Sequence, residues 1–290
     1  MKLYIPPPDL LRYWWKTRKH FQQPLEVAAC AGPELQRFRL EGDLPCSNGF
    51  GVFFTACDSI YFELYASNYV ESIAASGGRQ SVHLHIYDSS DAQLARARAL
   101  GHRHGVAVTA TRDSVQAGSL YSAYYFAAGR FVLMPELLRA SRSPVVCTDI
   151  DVLVRRSFDA SVAALLSHDV SLHLRPESSL PWRKVLASTV IGMPTDAAHA
   201  YFGCVASTLA EILAAPLSHH VDQIILYLAY RQYRSMGATA ARFATMQKCM
   251  VDWDFEEASL VWNAKGPQRK DAYWAAARAA GLEQSGVAQR

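Results

Sequence analysis

The apolar positions of this chain fall into short runs separated by amphipathic stretches. GVFFTAC (51–57) is an unbroken apolar run, which predicts a buried strand. DSIYFELYASNYVESIAAS (58–76) comes next with helical spacing and is stopped by Gly77 and Gly78. SVHLHIYD (81–88) alternates with period two and predicts a second strand. SSDAQLARARALG (89–101) predicts a helix opened by Ser and Asp and closed by Gly101, and VAVTAT (106–111) a third strand. A helix through YSAYYFAAGRFVLMPELL (121–138) leads into a fourth strand, VVCTD. Downstream, DVSLHLR (169–175) and STVIGMP (188–194) read as strands. TDAAHAYFGCVASTLAEILAAP (195–216), capped by Thr195 or Asp196, and HHVDQIILYLAYRQYR (219–234) read as helices. Alternating strands and helices predict an α/β fold, a mostly parallel sheet with helices on both faces.

One run breaks the pattern. SPVVCTDIDVLVRRSF (143–158) places Asp149 and Asp151 between two apolar segments, where a buried strand ought to continue. Two like charges repel, and burying them unpaired costs several kcal/mol. Removing either is therefore expected to leave the fold intact or more stable. In open α/β sheets ligands bind beyond the carboxyl ends of strands, and Asp58 and Asp88 close the first two strands at that same end. Carboxylates gathered there suit a hard divalent ion, Mg²⁺ or Mn²⁺, bridging protein and diphosphate. The plainer alternative is a turn in which both aspartates are solvated or cap the next segment.

Composition narrows the classes. At 290 residues and 50% hydrophobic, the chain can bury a large core. Its net charge of +3, with no long basic run, gives no nucleic-acid footprint. MKLYIPPPDL has no apolar signal core, and no stretch approaches a membrane helix. The basic aromatic stretch LLRYWWKTRKHF leaves peripheral membrane contact open, although a packed N-terminal arm is the simpler reading. Six cysteines without CxxC spacing suggest neither zinc nor a redox pair. Together these predict a reduced, cytoplasmic protein: an N-terminal arm (1–47), one α/β domain (48–270) and a C-terminal helical tail (271–290).

At this point the sequence resembles a known family. VVCTDIDVLVRRSFDA (145–160) resembles the Asp-x-Asp segment of glycosyltransferases of the GT-A fold, the Rossmann-like nucleotide-diphospho-sugar transferases. The likeness is to the family-8 relatives of glycogenin and of lipopolysaccharide galactosyltransferases. FFTACDSIY (53–61), YYFAAGRF (124–131), VDQIILYLA (221–229) and VWNAKGPQRK (261–270) match further segments in order. The resemblance implies a metal-dependent, retaining transfer of sugar from a nucleotide sugar, a UDP-sugar first, to an acceptor of unknown kind: a glycan, a lipid-linked glycan or a protein. It implies that Thr55, Ala56, Cys57, Asp58 and Tyr61 hold the nucleoside. Arg130, Ile150, Lys265, Gly266 and Lys270 would meet the sugar diphosphate, and Asp149, Asp151 and Asn263 the Mn²⁺ or Mg²⁺. Asp222 or Gln223 would contact the sugar or the developing oxocarbenium ion.

Two positions depart from the family. Asn263 stands where a histidine usually supplies the third metal ligand, and Ala187-Ser188-Thr189 replaces an Asn-x-Gly. Two other readings stay open: a haloacid-dehalogenase-like phosphatase using Asp149 and Asp151 with Thr189 and Lys248, and a nucleotide-sugar binder without activity. Several of these residues also have plain structural roles. Asp58, Asp88 and Asp222 suit helix caps, His219 and His220 a solvated helix start, and Trp253 and Trp262 the core.

Overall fold

The computed structural model describes residues 11, 12 and 15 and the stretches 40–113, 123–213, 220–237, 240–264 and 269–282. Its strands are β1 (Leu40–Gly42), β2 (Val52–Asp58), β3 (Ser81–Tyr87), β4 (Val108–Asp113), β5 (Val145–Thr148), β6 (Val152–Val154), β7 (Val170–Leu174), β8 (Val185–Gly192), β9 (Phe243–Thr245) and β10 (Val261–Asn263). The main helices are α1 (Ser59–Ala75), α2 (Asp91–His104), α3 (Ala123–Ser141), α4 (Asp159–Leu165), α5 (Asp196–Ile212), α6 (Val221–Ser235) and α7 (Lys270–Ala279).

Eight strands form one sheet in the order β1-β4-β3-β2-β5-β8-β7-β9, and β6 pairs with β10 in a separate ribbon. The pairs β2–β3, β3–β4, β2–β5 and β7–β9 are parallel, whereas β1, β5 and β7 meet their other neighbours antiparallel. The sheet is therefore parallel at its centre and mixed at its flank, where β8 runs back between β5 and β7.

β2 reads as an unbroken apolar run because both of its faces are covered. Phe53 and Cys57 point into the layer built from α1, α2, the β6–β10 ribbon and α7. Phe54 and Ala56 point into the layer built from α3, α5 and α6. Most of the sequence expectations for elements hold to within a few residues, and the differences have causes. β8 starts at Val185 rather than 188, because Lys184 and Arg175 join it to β7. α2 passes through Gly101 and ends at Gly105, which takes the left-handed conformation (φ 68°) that closes a helix. Gly101 serves packing instead, since a Cβ there would lie 2.8 Å from the Val106 carbonyl and 2.9 Å from Val108 Cβ. The α2 cap is Ser90, reciprocally bonded with Gln93, and not Asp88. Thr195, not Asp196, caps α5. β1, β6, β9 and β10 were not expected; each is three residues long, too short to show a period. No helix among the described residues is long and apolar enough to cross a membrane.

Candidate functional site

β5 ends at Thr148, and the turn beyond it is held from three sides. Thr148 Oγ1 hydrogen-bonds Tyr69 Oη of α1 at 2.8 Å. Asp149 donates its N–H to the Ser188 carbonyl of β8 at 3.1 Å, and Asp151 accepts the Ala264 N–H at 3.1 Å. Past the turn, the Val154 N–H donates to Ser72 Oγ of α1. The antiparallel β6–β10 pairing sets Asn263 opposite Val152, which carries the C-terminal segment to the aspartates. None of these partners is near in sequence, so the turn is a tertiary construction.

A cavity of about 310 Å³ opens there, in the range of small-molecule clefts. Ala56, Cys57, Asp58, Tyr61, Arg130, Asp149, Ile150, Asp151, Asp222, Gln223 and Asn263 line it. Thr55 lies buried behind this wall, one residue back along β2. Lys270 opens α7 and donates Nζ to Tyr61 Oη at 2.9 Å, while crossing the Tyr61 ring at 4.7 Å. Lys265 and Gly266 lie outside the described residues, as does His219.

Arg130 is the hub. It comes from α3, is 2% exposed, and donates to Asp149 Oδ1 and, at 2.8 Å, to the Ala187 carbonyl. Its Nη2 also lies 3.8 Å from Asp222 Oδ2. Asp149 Oδ2 accepts in turn from Asn263 Nδ2 at 3.4 Å. Asp222 Oδ1 accepts the Gln223 N–H at 2.8 Å, so its carboxylate braces its own turn, while α6 is opened by His220. Asp58 caps α1 by accepting the Tyr61 N–H at 2.7 Å, and it faces the cavity as well.

Electrostatics sharpen the picture. Burial, then the like charge of Asp149, pushes the Asp151 carboxyl up to about 7, against the pull of Lys270 and Arg130. Burial likewise raises Asp222, with Arg130 opposing. Asp149 and Asp222 thus share one buried guanidinium, Asp151 adds a third carboxylate on the same wall, and the site is rich in negative charge. Burial also holds the Cys57 thiol well above its usual range, which excludes it as a thiolate nucleophile. Asp149, Asp151 and Asn263 offer an all-oxygen donor set, the chemistry a hard divalent cation prefers.

Solved structures share this architecture. The glycosyltransferase GlyE of Streptococcus pneumoniae superposes with a TM-score of 0.54 at 9% identity, over 85% of this chain and 66% of that one. The galactosyltransferase LgtC, in complex with donor and acceptor sugar analogues, gives 0.55 at 15% identity, over 83% and 96%. An active-site glutamine-to-glutamate mutant of LgtC gives 0.53 at 14%, over 80% and 94%. The chain has a GT-A glycosyltransferase fold. It spans 66% of the length of the GlyE structure, and neither a protein-family model nor a curated protein matches its sequence.

On this GT-A frame the structure adds wall residues that the sequence left aside. Phe126, Ala127, Leu186, Ala187, Ser188 and His220 complete the cavity. Leu186 to Ser188 include the stretch that departs from the family pattern, and Ala187 contributes through its carbonyl, which any residue could supply. His220, expected to face solvent, is the one with chemistry. Its signal was its place two residues before Asp222, masked by the usual solvation of a helix start. Arg269 turns away, donating to the Trp253 carbonyl and pairing with Asp254 at 3.5 Å. Trp253 and Trp262 pack, half-buried, against the core. A second acidic group, Asp252, Asp254 and Glu256, has carboxylates within 4.8 Å of one another. Its charges are already met: Asp252 accepts the Asp254 and Glu256 N–H groups and the Ser259 hydroxyl, and Lys248 bridges Asp254 and Glu256 at 2.9 Å each.

Proposed function

We propose that this protein is a glycosyltransferase that moves a sugar from a nucleotide-sugar donor, a UDP-sugar first, to a glycan, lipid-linked glycan or protein acceptor, with retention of configuration. The observation that carries the reading is the convergence of Asp149, Asp151, Arg130, Asp222 and Asn263, from four separate segments, on one cavity of a GT-A fold. LgtC was solved with donor and acceptor sugar analogues, which gives the substrate class its first candidate.

In this reading Asp149, Asp151 and Asn263 hold Mn²⁺ or Mg²⁺. The excess of carboxylates and the raised Asp151 fit such an ion. When bound, it supplies Lewis-acid neutralisation of the departing diphosphate. The chain's own residues do the rest. Arg130 fixes Asp149 in one orientation and ties it to Asp222. Asp222, buried beside a cation, presents negative charge toward the cavity, where a sugar carbon turning cationic is stabilised. Tyr61 and Asp58 form the wall on which the nucleoside would rest, and Lys270, bonded to the Tyr61 hydroxyl, would supply positive charge for the phosphates. Leu186 and Phe126 add apolar surface to the wall.

A thermal-shift screen of nucleotides and nucleotide sugars, with and without Mn²⁺, tests the reading, because a ligand of the native state raises the melting temperature by mass action. Mn²⁺-dependent stabilisation by a nucleotide sugar, and then release of nucleoside diphosphate, is expected. Stabilisation without any transfer or slow donor hydrolysis would leave the binder reading. No observation favours the phosphatase, since the lysine it needs, Lys248, is engaged by Asp254 and Glu256.

A further inference from the structure

Among the described residues four non-glycine positions have positive φ: Asp88, Arg142, His220 and Phe255; of these only His220 lines the cavity. It sits at φ 65°, ψ 20°, immediately before α6. A histidine enters that conformation at a cost and stays only where its surroundings hold it, a circumstance that clusters at functional sites.

What holds it is Gln223. One end of the Gln223 amide faces two carbonyl oxygens, Trp182 at 2.7 Å and Val185 at 2.9 Å, and only an NH₂ group satisfies both. The amide oxygen therefore faces His220 Nδ1 at 3.2 Å. An amide oxygen accepts and never donates, so Nδ1 carries the hydrogen. The neutral ring then has Nε2 as its acceptor. Both amide hydrogens and the amide oxygen of Gln223 are thereby engaged by protein groups.

We infer that His220, and not Gln223, touches the transferred sugar: its Nε2 accepts a hydrogen bond from a sugar hydroxyl, with Gln223 as the positioning residue that fixes tautomer and ring plane. The inference rests on reading the cavity as a nucleotide-sugar site and assigns part of its wall. His220 and Asp222, two residues apart at the start of α6 and both on the cavity wall, bring acceptors to it, which suit hydroxyl donors and repel phosphate. Asp149, Asp151 and Asn263, on the same cavity wall, are where a cation and a diphosphate belong.

Isothermal titration with UDP, UDP-glucose and UDP-galactose, each with Mn²⁺, tests this on the wild type, His220→Phe, His220→Asn, Gln223→Leu and the His220→Phe/Gln223→Leu pair. The readout is how much more tightly a UDP-hexose binds than UDP. His220→Phe should lower that ratio about fivefold, the scale of one lost hydrogen bond, with UDP affinity unchanged. His220→Asn, which tolerates the left-handed backbone and keeps an acceptor, should retain part of it. Gln223→Leu should lose as much as His220→Phe, and the pair no more than either, since both remove one interaction. An unchanged ratio in His220→Phe overturns the inference, as does an equal fall for UDP and UDP-hexose, which marks a merely structural role. A wild type that binds UDP but no hexose more tightly than UDP overturns the inference and spares the proposed function. A wild type that binds none of the three overturns both.

Discussion

Arg130 donates to Asp149 Oδ1 from a position 2% exposed, although the two residues lie on different elements and the Asp149 side chain is itself 31% exposed. This pair changes what the two aspartates mean for stability. From sequence, Asp149 and Asp151 were equals, and losing either was expected to relieve repulsion. The structure separates them, because Asp149 has a buried partner.

Asp149→Ala should therefore destabilise the protein by about 3 kcal/mol, since it leaves Arg130 as a buried charge with only the longer Asp222 contact. Arg130→Met should cost at least as much, because it strands Asp149 beside Asp222 and Asp151. Asp151→Ala should be neutral or stabilising. Urea midpoints for the three variants check this ordering, and equal midpoints for Asp149→Ala and Asp151→Ala would refute it.

Asp151 also makes stability depend on pH. In the ion-free protein its carboxyl titrates near 7, raised from 3.8. The folded state thus holds a proton that the unfolded state releases, and the penalty grows as pH rises from about 4 to about 7. Asp151→Asn should be indistinguishable from wild type near pH 4. Above pH 7 it should be more stable by up to about 4 kcal/mol. Saturating Mn²⁺ should erase the difference or reverse it.

His83 and His85 pull the other way. Burial lowers both to about 3, from 6.5, and their ring nitrogens bond Thr109 and Thr111. Folded rings refuse the protons that the unfolded chain takes up, so the contribution is intact above about 6.5 and lost as pH falls. Each ring should remove up to about 1.4 kcal/mol per pH unit below 6. Denaturant unfolding between pH 7.5 and 5, which should outrun the smaller gain at Asp151, measures it. A flat profile across that window would show that the rings are not held neutral.

Asn263 offers the sharpest test of the ion. Its Nδ2 faces Asp149 Oδ2 at 3.4 Å, and the side chain is 2% exposed. Asn263→His should tighten Mn²⁺ about tenfold, because imidazole is the stronger ligand, and Asn263→Ala should weaken it. Titration of Mn²⁺ in the presence of UDP reads both. If neither variant shifts the affinity, Asn263 does not hold the ion.

The resemblance reached most of the cavity wall because its motifs carry their chemistry in short strings. The residue pattern erred on Asp88, read as a helix cap, because Ser90 caps α2 instead. His220 was passed over for a related reason. A histidine at a helix start looks solvated until one knows that its backbone is left-handed and that Trp182 and Val185 orient the amide behind it. Neither fact has a local signature.

By itself the sequence determined the alternation of strands and helices around the central parallel strands, and the presence of two carboxylates at the end of β5. Periodicity and burial of continuous apolar runs are local properties, written in neighbouring residues. Only the tertiary structure decided that β8 returns antiparallel between β5 and β7, that Arg130 chooses Asp149 over Asp151, and that the β6–β10 ribbon carries Asn263 to the aspartates. Each of these depends on groups far apart in the chain whose charges and hydrogen bonds must be satisfied together. Satisfying buried charge is a property of the whole packing, and no single segment encodes it.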